Sequence, residues 1–106
     1  MMDYSLCKET VTVYRKVGDR IQRSYYHKCY LQCKIVMVRD ELGTFKKWEF
    51  MLIVPGDRPL MVGDRVVSGI GKDVSYWYEL GNAMQVSYAK PYYLDGKICH
   101  WEAGSK

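Results

Sequence analysis

Residues 27–34 read HKCYLQCK, two cysteines four apart behind a histidine, and no other stretch of the 106-residue chain so resembles chemistry. A metal knuckle would need both sulfurs on one ion, within about 4 Å of each other given Zn–S bonds of about 2.3 Å. In an extended strand, residues four apart share a face but stand roughly 13 Å apart at about 3.3 Å per residue. Tyr30-Leu31-Gln32 contains no Gly, Pro, Asn or Asp to fold the chain back between them. The segment therefore reads as a strand, with Cys29, Leu31, Cys33, Ile35 and Met37 on an apolar face and Lys28, Tyr30, Gln32 and Lys34 on the other. Both cysteines then act as small hydrophobes.

The other candidates for chemistry weaken in the same way. A zinc site assembled from Cys7, Cys29 and Cys99 with His27 or His100 would lack the paired-ligand spacing, and no CxxC redox motif occurs. Cys99 and His100 are adjacent, so on a strand they point to opposite faces and cannot act as nucleophile and base. Acidic residues are scattered singly among basic ones, as on a solvated surface. GIGK at 69–72 lacks the full phosphate-loop pattern and reads as a strand end and turn. Tyr25-Tyr26 and Tyr92-Tyr93 put one ring on each face of an extended segment, and neither sits in an aromatic RNA-binding signature. The sequence thus points to a non-enzyme, with no metal and no cofactor.

One domain, residues 1–106, is what this length supports. Ten tyrosines, three tryptophans and many Val and Ile tilt it toward β structure. No apolar run of about eighteen residues occurs, and MMDYSLCKE has neither the basic start nor the apolar stretch of a signal peptide, so a cytosolic origin with reduced cysteines is expected. The net charge of +4 arises in residues 1–50, which carry ten Lys/Arg against six Asp/Glu, while the rest carries six against six. That excess is small for a dedicated nucleic-acid binder.

Period-2 patterning and turn residues divide the chain into elements. TVTVYRK (10–16) and the extended RIQRSYYHKCYLQCKIVMV (20–38) flank a turn at Val17-Gly18-Asp19. RDELGTFKK (39–47) reads as a charged loop, WEFMLIV (48–54) as a strand stopped by Pro55-Gly56, GDRPLMVGD as a turn-rich linker, and RVVSGI (65–70) as a short strand. DVSYWYELG (73–81) is the one helical candidate, with Asp73 as N-cap, Tyr76, Trp77 and Leu80 on one face, and Gly81 as C-cap. MQVSYAK (84–90) and KICHWEA (97–103) flank Asp95-Gly96 as a terminal hairpin. The fold expected is mainly β, a small antiparallel barrel or sandwich of about seven strands with one short helix.

From Trp48 onward the order of WEFMLIVP (48–55), GDRVVSGIG (63–71), a short helix, MQVSYAK and HWEAGSK (100–106) resembles the small head–tail connector, or head-closure, proteins of tailed bacteriophages and prophages of Gram-positive bacteria. Val54 stands where that pattern often has Ile, and Ser105 where it has a second glycine; positions 28–47 carry no resemblance. The resemblance implies a virion neck protein, assembled in the host cytoplasm away from membranes. It would form a homo-oligomeric ring between portal and adaptor proteins on one side and tail-terminator or tail proteins on the other, close to packaged DNA. The residues it directs attention to are His100 and Trp101 of the terminal motif. Arg39, Asp40, Glu41, Phe45, Lys46 and Lys47 of the central charged segment join them, as a loop of roughly nine residues facing a neighbour or the DNA channel. A small β-barrel nucleic-acid-binding module is the alternative that the tyrosines and the basic first half leave open.

Overall fold

A computed structural model describes residues 4–81 and 83–105, including every side chain in them except those of Lys47 and Trp48. The chain is mainly β. After a 3-10 turn, η1 (Tyr4–Leu6), come β1 (Glu9–Val17), β2 (Arg20–Asp40), β3 (Gly43–Pro55) and β4 (Arg65–Ser68); a second 3-10 turn, η2 (Trp77–Leu80), leads to β5 (Met84–Gln85), β6 (Tyr88–Leu94) and β7 (Lys97–Gly104). All pairings are antiparallel, in the order β5-β4-β1-β2-β3-β7-β6.

The two ends of that order are successive segments of the chain. Val86 and Ser87 alone separate β5 from β6. Val86 N–H donates to the carbonyl of Asp64 and Ser87 N–H to that of Gly104, so the sheet curls round until one kinked strand touches both of its margins. Inside lie Val11, Val13, Cys29, Phe50, Leu52, Val54, Leu60, Val66, Val86 and Ala103.

β1 is buried on both faces over Val11–Tyr14. Val11 and Val13 enter the core, while Thr12 and Tyr14 are covered by the chain at 69–72. Thr12 Oγ1 donates to Gly69 O (2.7 Å) and accepts from Gly71 N–H (2.8 Å), and Tyr14 donates its hydroxyl to Lys72 O (2.7 Å). Gly69, with φ +80°, ends β4 and turns the chain onto this face, so the expected strand 65–70 stops at Ser68.

β2 changes partners along its length, pairing with β1 up to Cys29 and with β3 from Tyr30. At the changeover two residues, His27 and Lys28, oppose the single Thr10, and Lys28 adopts φ +58°. This bulge resets the alternation. Tyr26 faces the core before it and Cys29 and Leu31 after it, where an unbroken period of two would have put Lys28 and Tyr30 inside.

Further sequence expectations need correction. Residues 39–47 are not a nine-residue loop: β2 runs to Asp40, β3 starts at Gly43, and only Glu41-Leu42 turn. Asp40 makes the tight reversal by accepting Leu42 N–H on its carboxylate (2.8 Å), a side chain imitating a turn, and Gly43 supplies φ +126°. Residues 73–81 are not a helix from Asp73 but the single turn η2, entered through an extended Tyr76; Asp73 instead pairs with Arg23 (3.3 Å). Val, Tyr, Trp and Tyr in so short a run cannot offset the cost of helix nucleation, though Gly81 does end the turn at φ +62°. The strand expected at 84–90 is broken at Val86-Ser87, where the barrel closes.

The apolar face assigned to β2 is also only half buried. Cys29 is fully enclosed, but Cys33, Ile35 and Met37 are exposed. Cys29→Ala should therefore cost about 1 kcal/mol, whereas Cys33→Ala should stay within about 0.5 kcal/mol of wild type, as read from paired denaturant melts.

Candidate functional site

From Lys34↔Glu49 to Asp40↔Gly43, β2 and β3 pair with each other and, among the described residues, with no other strand, since β1 leaves at Cys29 and β7 begins to pair at Met51. They form a two-stranded ribbon roughly 24 Å long at about 3.4 Å per residue, on a molecule whose longest extent is 47 Å. Directly opposed residues share a face. Cys33, Ile35, Met37 and Arg39, opposite Phe50, Trp48, Lys46 and Thr44, continue the core-facing side of the barrel; Lys34, Val36 and Val38, opposite Glu49, Lys47 and Phe45, form the back.

Both faces carry exposed apolar side chains among charged ones. Ile35 is 48% exposed and Met37 60% on the inner face, Phe45 is 47% exposed on the back, and Leu42 at the tip is 98% exposed. Isolated two-stranded hairpins are marginal in water, and a soluble ribbon normally keeps one face polar.

At the root of the ribbon the inner face opens into a groove of about 830 Å³ between Cys33 and Phe50 on one side and Val67, Ser68, Ala83 and Met84 on the other. Cys33 Sγ lies 3.5 Å from Met84 Sδ across it. Desolvation at the wall, reinforced by Glu9, raises the Cys33 thiol above its ordinary pKa. Burial pushes Cys29 up to about 11. Neither is an activated nucleophile. Among the described residues no group of three or more His, Cys, Asp or Glu side chains is gathered to hold a metal ion, and no helix is long and apolar enough to cross a membrane.

The residues singled out from sequence fall in two separate places. Arg39, Asp40, Glu41, Phe45 and Lys46 cluster at the free end of the ribbon, and Lys47 sits opposite Val36, its side chain outside the described residues. His100 and Trp101 belong instead to the barrel wall. His100, 8% exposed, stacks on Tyr92 (4.6 Å between ring centres) and shares a 2.7 Å hydrogen bond between Nδ1 and the Tyr4 hydroxyl. Burial lowers its pKa, against a weaker pull from Glu102, so it packs as a neutral ring. Trp101 donates its indole N–H to Asp57 (3.1 Å) and steadies the chain after β3. Both side chains are engaged within the barrel wall. Lys106, the last residue of the terminal motif, lies outside the described residues.

Missed from sequence were Ile35, Met37 and the groove beside Cys33, because an apolar parity was equated with a buried one. The signal was in KIVMV (34–38), where Val36 and Val38 break the alternation and mark a strand apolar on both faces.

A second surface lies at the opposite margin. Tyr76 and Tyr78 stack in parallel (5.5 Å, 7°) and are 60% and 80% exposed, and Arg65 lies 4.7 Å over the Trp77 ring. Lys16 and Ile21 face Tyr76 and Trp77 across a cleft of about 170 Å³.

No family model, no curated protein and no solved structure matches the chain.

Proposed function

We propose that the chain is a structural subunit of a tailed-phage or prophage particle, a head-closure ring component that works by contact with copies of itself and with neighbouring portal-adaptor and tail proteins. The observation that carries the reading is the ribbon: a projecting arm that exposes apolar side chains on both faces, on a barrel in which Cys29 and His100 are buried in packing. Such an arm is an interaction element in want of a surface. The resemblance of the segments around Pro55, Gly63-Asp64 and His100-Trp101 supplies the kind of assembly. The role has no catalytic step and needs no cofactor.

A single-strand nucleic-acid module is the second reading, favoured by the exposed Tyr76–Tyr78 pair beside Lys16 and Arg65. Bases stack on such rings and phosphates take the cations, which makes binding steeply salt-dependent.

The test replaces residues 37–46 with Asn-Gly, joining Val36 to Lys47 across a two-residue turn. Both strands lose an even number of residues, so the remaining pairs keep their faces and the barrel is unchanged. The shortened protein should melt as wild type does, yet be absent from purified particles in a complementation assay, leaving heads that leak DNA and fail to join tails. Normal particles from the shortened gene would sink the reading. Tight, salt-sensitive oligonucleotide binding that Tyr78→Ala abolishes would favour the second.

A further inference from the structure

The cover over His100 is uneven. Two of its sides are sheet, because β7 sets the residue between its partners Tyr92 of β6 and Pro55 of β3. Another is η1, a single turn with no buried residue of its own, which lays Tyr4 edge-on to the imidazole (5.6 Å, 70°) and joins it through the 2.7 Å bond to Nδ1. Cys7 N–H closes the turn on the Tyr4 carbonyl (3.0 Å), and its side chain is buried, 6% exposed. The geometry points to an acid-released latch: with His100 neutral, Tyr4 holds residues 4–7 on the barrel wall, and a proton on the imidazole frees them while the strands stay paired. This goes beyond the ring-subunit reading and does not rest on it.

An imidazolium finds little to welcome it there. Of titratable and charged groups, η1 brings the Tyr4 hydroxyl and, just after it, the Cys7 thiol; β6 brings Tyr92 and Lys90; β7 brings Glu102 and the neighbouring Cys99; β3 brings only Pro55, with Asp57 beyond it bonded to Trp101. Glu102 favours the charged ring, but it already accepts the Tyr88 hydroxyl (3.1 Å). The Tyr92 ring stacked on His100 would attract a cation, yet the Lys90 ammonium already stands 5.1 Å from its centre. Burial outweighs Glu102, so the ring stays neutral to a lower pH than an exposed histidine does.

A protonated ring must reach water, and the routes to it differ in cost. Moving β6 or β3 away breaks strand pairing at His100. Lifting η1 gives up the Tyr4 bond, its ring contact and the burial of Cys7, and no strand pair. With the latch lifted the ring titrates at about 6.5, and with it closed lower. The latch is therefore fully held above about pH 6.5 and loosens progressively as the pH falls beneath that value.

Cys7 serves as the reporter. Purified protein is treated briefly with dithiodipyridine, a disulfide that still reacts with thiols in acid, and labelling at each cysteine is read by peptide mass spectrometry. Between about pH 7.5 and about pH 5, labelling of Cys7 should rise about tenfold relative to the exposed Cys33, with the far-ultraviolet β spectrum unchanged. His100→Phe keeps a flat ring that takes no proton, so its Cys7 labelling should be independent of pH. Tyr4→Phe weakens the latch from its own side and should speed Cys7 labelling several-fold already at about pH 7.5. In a His27→Gln background, which leaves one histidine, the imidazole protons followed by NMR should titrate below about 6.5. Constant Cys7 labelling across the range overturns the proposal. So does an acid rise that persists in His100→Phe or that comes only with loss of the β spectrum, a Tyr4→Phe protein that labels as wild type does, or an imidazole that titrates at or above about 6.5. If His100→Phe fails to fold, the wild-type, Tyr4→Phe and NMR measurements decide.

Discussion

Asp64→Ala should be the most damaging single substitution outside the apolar core, lowering stability by about 3 kcal/mol and the melting midpoint by roughly 12–20 °C. Asp64 is 2% exposed and accepts three hydrogen bonds, from Arg15 Nε (2.9 Å), Arg15 Nη2 (2.8 Å) and Met61 N–H (2.9 Å). Bonding to Asp64 in turn raises the Arg15 pKa against the opposing effect of burial. Removing the carboxylate leaves a guanidinium and an amide short of their acceptor. The low end of the range for half-breaking a buried pair applies, because the Arg15 side chain is 31% exposed and water can partly replace the lost partner. The pair also has a mechanical task, tying the segment after β3 to β1, where Arg15 additionally reaches Pro59 O. Asp73→Ala is the control: Asp73 is 84% exposed where it pairs with Arg23 (3.3 Å), and its loss should cost less than about 1 kcal/mol. Equal melts for the two variants would mean that Asp64 is not held as described.

Gly104→Ala should come next. A Cβ there would stand 2.5 Å from the Phe50 carbonyl oxygen and 2.9 Å from the Tyr88 ring. The first neighbour is backbone and cannot swing aside, so β7 would have to pull away from β3 at the site where Ser105 N–H donates to the same carbonyl (3.2 Å). Overpacking of this kind costs about 1–3 kcal/mol, and the backbone contact places this case at the top of that range. Thermal unfolding reads the effect. A wild-type melt for Gly104→Ala would show that β7 is not seated against β3 in this register.

Much of the barrel was legible because its signals are local. Asp95-Gly96 adopts φ of +52° and +77°, the paired positive values that a two-residue hairpin demands, and TVTVYRK declares β1 by alternation. The bulge at His27-Lys28 was not legible, since it is a consequence of β2 having to serve two partners. The ribbon was misread for a related reason. Charges at 39–47 look like a loop when each residue is judged alone; that Asp40 caps its own turn and that Phe45 pairs with Val38 are facts of register. His100 and Trp101 drew attention through a resemblance in pattern, and their surroundings give them packing roles.

The place of β7 bears on how the chain reaches this fold. β7 is the last strand in sequence, yet it sits between β3 and β6, and until it arrives β3 has an open margin and Leu52 and Val54 lack their cover. The turn at Asp95-Gly96 lets β6 and β7 form first as a hairpin, on the microsecond scale of such units. That hairpin must then dock as a body, bridging some fifty residues of intervening chain to meet β3 while Val86 swings in to join it to β4. Closure is thus a late, non-local event, of the kind that sets folding times of milliseconds to seconds in all-β domains. A growing chain waits for its final strand with a long, apolar edge uncovered.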